Sequence, residues 1–227
     1  MEKVASTAIV ATVKLAANPD YVRFVGPTGE VWVTEPGAEQ IELFSIPKVG
    51  PPTPVRTGVI RVPGGPESLV IDAQRGRAYT HLWKAATVAI DVQTHAVAAQ
   101  WKNGCSDSRG IALDEERALL FAGCDEGKAT TMDLRRGGTV VATEPTGKGV
   151  DVIAYSAQLR HLYVPGEDSA TMAVLAVAAD GKLSTVVTVP TAKGAHCVAA
   201  DDAGGAWVCD PDGGRLLLFK DAMPVAR

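Results

Sequence analysis

Apolar and polar residues alternate in short runs along this chain, and the runs recur in a fixed order. One apolar run ends in a polar or glycine turn, and a second run then ends in an aromatic or branched residue. Five copies of this pattern occur, at residues 22–34, 68–80, 110–122, 152–164 and 197–209. Runs bounded by Gly, Asp, Asn or Pro are typical of β-strands, and no long stretch has apolar residues at helical spacing. The pattern therefore predicts an all-β fold.

The spacing of the copies indicates a particular all-β architecture. Their equivalent residues are Val33, Tyr79, Phe121, Tyr163 and Val208, which lie 46, 42, 42 and 45 positions apart. A period in the forties with four short strands per copy is typical of a β-propeller. We therefore expect a five-bladed β-propeller of four-stranded antiparallel blades around a central channel. The repeat runs from end to end without a linker, so residues 1–227 are expected to form a single domain.

The two ends of the chain predict how the ring closes. The last copy supplies strands at 196–200, 205–209 and 215–219 but no fourth strand, whereas residues 4–15 resemble a fourth strand without a blade of its own. Pairing the two would remove exposed strand edges, which favour aggregation. We therefore expect the N-terminal strand to complete the last blade. The alternative is that the chain comprises the C-terminal five blades of a seven-bladed parent.

Two segments resemble a known family of propellers. The run E-V-W-V-T-E-P-G-A-E-Q-I-E-L-F-S-I (30–46) and the hairpin H-C-V-A-A-D-D-A-G-G-A-W-V-C-D (196–210) are similar to YVTN repeats, as found in YncE-like propellers. The resemblance covers nearly the whole chain, but it is a signature of fold that proteins of different chemistry share. It implies an exported bacterial protein, periplasmic or secreted, with lactonase-like propellers among its relatives. Five blades depart from the six or seven usual in such proteins.

Charge and hydropathy exclude several classes of partner. The net charge is −4 and Lys and Arg are scattered singly, which argues against nucleic acid and against an anionic membrane surface. No apolar stretch approaches the 18 residues of a membrane span. The N-terminal residues superficially resemble a signal peptide, but their apolar run is short and interrupted by Ser6, Thr7 and Thr12, so we interpret it as a strand rather than a clear signal. A monomer is expected.

The four cysteines form two pairs that are local in sequence. Cys197 with Cys209, and Cys105 with Cys124, each bracket a predicted hairpin. Two disulfides would place the protein in an oxidising compartment. Buried free thiols are the main alternative, because Cys is also a small core residue. A cysteine metal site is the weakest interpretation, since the chain has no C-x-x-C pair.

Candidate binding residues occupy a repeat position at which the five copies carry different side chains. Each copy has a reference residue in its hairpin turn, and these are Gly26, Asp72, Asp114, Ser156 and Asp201. Five positions earlier the copies carry five different side chains, which are Tyr21, Glu67, Arg109, Asp151 and His196. Because this position leads into the innermost strand of each blade, we expect the five side chains to surround one mouth of the channel. We call them the first ring.

A second set of positions is predicted to widen the same mouth. Nine positions after the reference residues stand Glu35, His81, Gly123, Pro165 and Asp210. In an antiparallel hairpin these lie opposite the first ring. We call them the second ring.

The first ring permits three chemical interpretations. Arg109 between Glu67 and Asp151 is consistent with a satisfied salt-bridge network, or with a ligand or anion site centred on Arg109. Alternatively, Glu67, Asp151 and His196 could hold a divalent cation, since these are oxygen and imidazole ligands. Trp83 is interpreted as a residue that packs between blades rather than as a lid over the mouth.

The sequence favours binding over catalysis. It contains no G-x-S-x-G elbow, no H-E-x-x-H motif and no phosphate loop that precedes a helix. We therefore expect a non-enzymatic propeller that binds a small molecule or a protein at the channel mouth, with no cofactor. The alternative is a metal-assisted, lactonase-like hydrolase, with a divalent cation at the mouth and Glu35 or His81 as base.

Overall fold

The computed structural model describes residues 8–225, and within this range the chain is built from strands in five antiparallel sheets. Sheet 1 contains β1 (Val22–Val25), β2 (Glu30–Glu35), β3 (Gln40–Ser45) and β4 (Val55–Arg61). Sheet 2 contains β5 (Val70–Asp72), β6 (Arg77–Leu82), β7 (Ala86–Asp91) and β8 (Val97–Lys102). Sheet 3 contains β9 (Ser108–Asp114), β10 (Leu119–Cys124), β11 (Lys128–Asp133) and β12 (Thr139–Pro145).

Sheets 4 and 5 continue the series. Sheet 4 contains β13 (Ala154–Ser156), β14 (His161–Gly166), β15 (Thr171–Val177) and β16 (Leu183–Pro190). Sheet 5 contains β17 (Val198–Ala200), β18 (Gly205–Asp210) and β19 (Arg215–Lys220). Two single-turn 3-10 helices lie at Pro36–Ala38 and Leu134–Arg136. In the described part of the chain, no helix is long and apolar enough to span a membrane.

The five copies occupy equivalent places in their sheets, as the sequence predicts. Each predicted equivalent residue lies in the second strand of its sheet and opposes a residue of the first strand. The pairs are Val33 with Val22, Tyr79 with Val70, Phe121 with Ala112, Tyr163 with Ala154, and Val208 with Val198. The repeat in the sequence is therefore a repeat of hairpin register.

Consecutive sheets pack face to face. Between sheets 1 and 2 the core includes Trp32, Ile41, Leu69 and Ile90, all fully buried. Similar apolar clusters join sheet 2 to 3, sheet 3 to 4 and sheet 4 to 5. Burial of such surface contributes roughly 25 cal/mol per Å². No such cluster joins sheet 5 to sheet 1 among the described residues, so closure of the five sheets into a ring is not confirmed.

The first strands of successive sheets lie side by side along the inner edge of the series: β1 contacts β5, β5 contacts β9, β9 contacts β13, and β13 contacts β17. The approach is very close at Gly110, where a Cβ atom would lie 2.2 Å from the carbonyl oxygen of Asp151. Only a residue without a side chain fits between these two backbones. The inner edge thus brings Arg109 and Asp151 into the same region.

The predicted N-terminal strand is not found in the described residues. Residues 8–15 form no strand, and residues 4–7 lie outside the described range. The segment instead lies against sheet 1, where the Ala17 amide donates to Glu35 (3.0 Å) and Arg56 donates to the Lys14 carbonyl (3.1 Å). Polar partners on sheet 1 therefore hold this segment, and sheet 5 has three strands in the described chain.

One of the two predicted disulfides is present. Cys105 and Cys124 are bonded and buried, which is in keeping with an oxidising compartment. The predicted Cys197–Cys209 bond is absent, and both residues are free thiols. They do lie opposite each other, and the Cys209 sulfur accepts a hydrogen bond from the Cys197 amide (3.1 Å).

Replacing Gly110 tests the close approach at the inner edge. Gly110→Ala is expected to lower the free energy of unfolding by about 1–3 kcal/mol, because its methyl group would collide with the backbone of Asp151. Urea denaturation followed by tryptophan fluorescence measures this change. Gly26→Ala is the matched control, since nothing lies within 4 Å of a Cβ at that position. Equal stability of the two variants would contradict the packing described here.

Candidate functional site

The first ring is found at the inner edge of the sheets. Tyr21, Glu67, Asp151 and His196 precede the first strands of sheets 1, 2, 4 and 5, and Arg109 lies within β9 of sheet 3. Because these first strands are neighbours in space, the unlike side chains lie in one region. A small cavity of about 230 Å³ is located there. It is lined by Glu67, Arg109, Asp125, Val150, Asp151 and Glu167, and we call it the inner cavity.

An ion pair with an aromatic partner forms one side of the inner cavity. The Arg109 guanidinium donates to Glu67 (2.9 Å) and lies 3.2 Å from an oxygen of Asp107. The Trp83 indole N–H also donates to Glu67, and the guanidinium carbon lies 5.9 Å from the centre of the Trp83 ring. Arg109 is therefore neutralised by two carboxylates and placed near an aromatic face.

The opposite side of the inner cavity is acidic. Asp125, Asp151 and Glu167 line it. Arg109 is the only lysine or arginine among the residues that line the inner cavity. His196 lies beside this group, with Nδ1 2.7 Å from the Gly194 carbonyl and 3.8 Å from Glu167. The lining residues therefore carry four carboxyl groups and a single guanidinium.

Burial and mutual repulsion make these carboxyl groups easier to protonate. Burial, reinforced by the charges of Asp20 and Asp151, raises the pKa of Glu67 to about 7 despite its bond with Arg109. Burial and the charge of Asp151 raise the pKa of Asp20 to about 6. Burial also raises the pKa of Asp151, and the charges of Glu167 and Asp125 add to this effect. The charges of His196 and Arg109 oppose it. Raised carboxyl pKa values of this kind cluster at functional sites.

Tyr21 contributes a polar atom without a partner. Its hydroxyl is buried and has no hydrogen-bond partner among the described residues. Burial raises its pKa above the ordinary value for tyrosine, and the charges of Asp151, Asp20 and Glu67 add to this effect. Tyr21 is therefore a neutral hydroxyl beside the acidic group.

Three important residues of this region were not predicted as part of the site: Trp83, Asp125 and Glu167. A signal for them exists in the sequence, eleven positions after the reference residues, where the copies carry Gly37, Trp83, Asp125, Glu167 and Asp212. The backbone at this position has a structural role, because the carbonyls of Trp83, Asp125 and Glu167 accept amide hydrogen bonds from the next sheet's entry segment at 3.0, 2.9 and 3.2 Å. Packing thus fixes the backbone and leaves the side chain free to vary.

The second ring does not widen the mouth as predicted. His81 is fully buried, with Nδ1 2.7 Å from Thr87 Oγ1 and Nε2 3.3 Å from the Phe121 carbonyl, and burial lowers its pKa to about 4. It is therefore neutral and removed from solvent. Successive strand side chains point to opposite faces, and the His81 side chain is directed at the face that packs on sheet 3.

The other second-ring residues are also placed by packing or local bonds. Glu35 is buried, and it accepts hydrogen bonds from Gln40 and from the Ala17 amide. Asp210 bonds to Arg215 (2.8 Å) and to the Gly213 amide (2.9 Å) in the turn after β18. A Cβ at Gly123 would lie 2.7 Å from Val150, so this glycine permits sheets 3 and 4 to approach. Pro165 is buried within β14.

The predicted metal ligands do not form a coordination set. Among residues 8–225, no three side chains of His, Cys, Asp or Glu converge as a metal ion requires. Glu67 is engaged with Arg109 and Trp83, whereas His196 is bonded to the Gly194 carbonyl.

Comparison with known proteins identifies the fold. No protein-family model matches the chain, and no curated protein matches it. A solved structure of a functionally unknown protein from Desulfotomaculum acetoxidans is similar, with a TM-score of 0.70 at 12% identity over 92% of this chain and 71% of that chain. A candidate 6-phosphogluconolactonase from Bacteroides fragilis gives a TM-score of 0.63 at 16% identity, over 77% of this chain and 55% of its own.

A third similar structure comes from a large assembly. A chain of the mitotic checkpoint complex gives a TM-score of 0.72 at 11% identity, over 90% of this chain and 62% of its own. These neighbours are β-propeller-like proteins, and at such low identity the likeness concerns the fold alone. The chain spans about half to about seven-tenths of the length of these three structures.

The raised pKa values predict an unusual dependence of stability on pH. A carboxyl group whose pKa is higher in the folded than in the unfolded state holds its proton longer when folded, so stability falls as pH rises between the two values. For Glu67 this window runs from its ordinary pKa of 4.5 to about 7. Glu67→Gln is expected to reduce this loss of stability between pH 5 and pH 8, as measured by urea denaturation.

An exposed carboxylate provides the control for this prediction. Glu116 lies in the exposed turn between β9 and β10, and Glu116→Gln should leave the pH dependence as in the parent protein. Identical slopes for the two variants would show that Glu67 does not titrate as the structure indicates.

Proposed function

We propose that this protein is a non-enzymatic binding protein that holds a small organic cation, such as a protonated amine, in the inner cavity. The observation that carries the proposal is the composition of the lining, in which Glu67, Asp125, Asp151 and Glu167 surround a single Arg109. A protonated amine would relieve the repulsion between these carboxylates. It would also offer N–H donors to oxygens that Arg109 leaves unpaired.

The position of Arg109 argues against an anionic ligand. Its guanidinium already contacts carboxylates of Glu67 and Asp107, at 2.9 and 3.2 Å. An anion would have to displace one of these partners and would then face Asp125, Asp151 and Glu167. Like charges at such distances in a half-buried site raise the free energy of binding by several kcal/mol. A cation meets no such opposition.

The size of the inner cavity and its aromatic neighbour favour a small ligand over a broad protein interface. The volume of about 230 Å³ is slightly below the range of pockets for drug-sized ligands, which begins at about 300 Å³. Trp83 is partly exposed beside it, and an indole face attracts cations. A compact ammonium compound fits both features.

We further propose that the five sheets are consecutive blades of a propeller of the YVTN-repeat, YncE-like type, and that the protein is exported and monomeric. The support is the repeat of hairpin register, the side-by-side inner strands and the propeller-like neighbours. The Cys105–Cys124 disulfide supports export, because such bonds persist in oxidising compartments.

Binding of simple amines tests the proposal. Putrescine, methylammonium and choline should raise the melting temperature at pH 8, whereas acetate and phosphate should not. Isothermal titration should show putrescine binding about tenfold more weakly to Asp151→Asn and to Glu67→Gln, which corresponds to about 1.4 kcal/mol for each lost carboxylate. Lowering the pH from 8 to 6 should weaken binding to the parent protein, because Glu67 becomes protonated.

The matched control is a carboxylate outside the cavity. Asp180 is exposed and pairs with Lys182, so Asp180→Asn should bind putrescine as the parent protein does. Stabilisation by the anions instead of the amines would overturn the proposal, as would equal loss of binding in all three variants.

One observation favours a second candidate function, a lactonase-like hydrolase. A solved structure with a similar fold, from Bacteroides fragilis, is described as a candidate 6-phosphogluconolactonase. The inner-cavity carboxylates would then serve as ligands of a divalent cation or as general bases. Hydrolysis of 6-phosphogluconolactone and of a simple γ-lactone, with and without Ca²⁺, Mn²⁺ or Zn²⁺, tests this candidate. A rate above background that Asp151→Asn abolishes would support it, and no rate with any of these ions would exclude it.

A further inference from the structure

A second cavity lies between sheets 4 and 5, on the side away from the inner edge. Its volume is about 190 Å³, and apolar side chains of both sheets line most of its wall. Met172 and Val174 of β15 face Ala206 of β18 and Phe219 of β19 across it. Met223, in the segment after β19, borders the opening. We call this space the sheet 4–5 cavity.

One end of the sheet 4–5 cavity is polar and built from buried groups. Asp221 lines the cavity, and its Oδ2 accepts a hydrogen bond from the Tyr163 hydroxyl (2.7 Å) and lies 2.7 Å from His161 Nδ1. The side chains of Tyr163 and His161 are fully buried, and that of Asp221 is only 4% exposed. Nε2 of His161 has no hydrogen-bond partner among the described residues.

Asp221 remains an ionised acceptor at this end. Burial would raise its pKa, but the hydrogen bonds from His161, Tyr163 and the Met223 amide outweigh this effect and lower it. Its Oδ1 accepts one hydrogen bond, from the Met223 amide at 3.0 Å. A carboxylate oxygen has two acceptor positions, so Oδ1 retains one for a further donor.

From this geometry we infer that the sheet 4–5 cavity binds a small, neutral, aromatic molecule that carries one hydrogen-bond donor, such as a phenol or an indole. The ring would lie among Met172, Val174 and Phe219, and its O–H or N–H would donate to Asp221 Oδ1. The site is separate from the inner cavity, and the inference does not depend on the function proposed there.

Size and wall chemistry both point to an aromatic ring. An apolar protein cavity of about 150 Å³ holds a benzene molecule, so about 190 Å³ accommodates a ring with one substituent. Sulfur atoms of methionine make favourable contacts with aromatic rings, and Met172 and Met223 both line this space. A cationic ligand would lose its hydration against a wall of valine, alanine and phenylalanine, which favours a neutral molecule.

Methionine methyl signals provide a direct test. The chain has four methionines, and Met172 and Met223 line the cavity, whereas Met132 is buried between sheets 2 and 3. In protein labelled with ¹³C at the methionine methyl groups, phenol should shift the Met172 and Met223 signals in a saturable way. The Met132 signal should stay in place and serves as the internal reference.

Two ligands of similar size distinguish the contribution of the aromatic ring to binding from that of the hydrogen-bond donor. Anisole has the ring and oxygen of phenol but no O–H group. Phenol should bind about tenfold more tightly than anisole, because a hydrogen bond to a charged acceptor in a largely apolar site stabilises the complex. Equal affinities would overturn the role of Asp221 and with it the proposed class of ligand. An absence of saturable shifts with phenol and with indole would overturn the site itself.

A cavity-filling variant checks the location. Val189 is partly buried on β16 and lines the cavity, so Val189→Phe should reduce phenol binding at least tenfold. Val186 is partly buried on the same strand but does not line the cavity, and Val186→Phe is its control. An unchanged Met132 signal shows in each variant that the packing between sheets 2 and 3 is intact. Equal loss of binding in both variants would place the ligand elsewhere.

Discussion

Each sheet of this protein has two faces and can bury them only against its neighbours in the chain. This constraint explains the order of the structure, because every hairpin must hold the register that directs Trp32, Leu69 and their equivalents into the spaces between sheets. A slip of one residue would turn those side chains to the wrong face. The first strands then lie side by side, because the sheets to which they belong already pack face to face. The inner edge, where the candidate site is located, is a consequence of packing elsewhere.

Much of this arrangement could be predicted from the sequence. Hairpin register is a local property that alternation and turn residues encode, and for this reason Tyr79 and Tyr163 occupy equivalent places. The positions of Glu67, Arg109 and Asp151 followed from the same register, because they precede or enter strands that pack together. The predicted N-terminal strand is not found in residues 8–15, because the conformation of this segment depends on distant partners such as Glu35 and Arg56 on sheet 1.

The second ring shows what the repeat alone does not reveal. Counting nine positions from the turn reaches His81, which is still inside the strand and points to a packed face. Counting eleven reaches Trp83, Asp125 and Glu167, which stand where the strand has ended and the chain passes to the next sheet. Their carbonyls bond to that sheet, so their backbones are fixed while their side chains face the inner edge. Recognition of this second position required knowledge of where each strand stops.

The two cavities differ because they form at different distances from the inner edge of the sheets. At the inner edge, neighbouring strand ends contribute backbone contacts, as at Gly110, and side chains there are free to be charged. Farther out, the space between sheets must be apolar, and Asp221 is tolerated only because His161 and Tyr163 hydrogen-bond to it. One construction therefore offers a charged pocket and an apolar pocket without a change of fold. The kind of ligand that a pocket between sheets can bind therefore depends on how far that pocket lies from the inner edge.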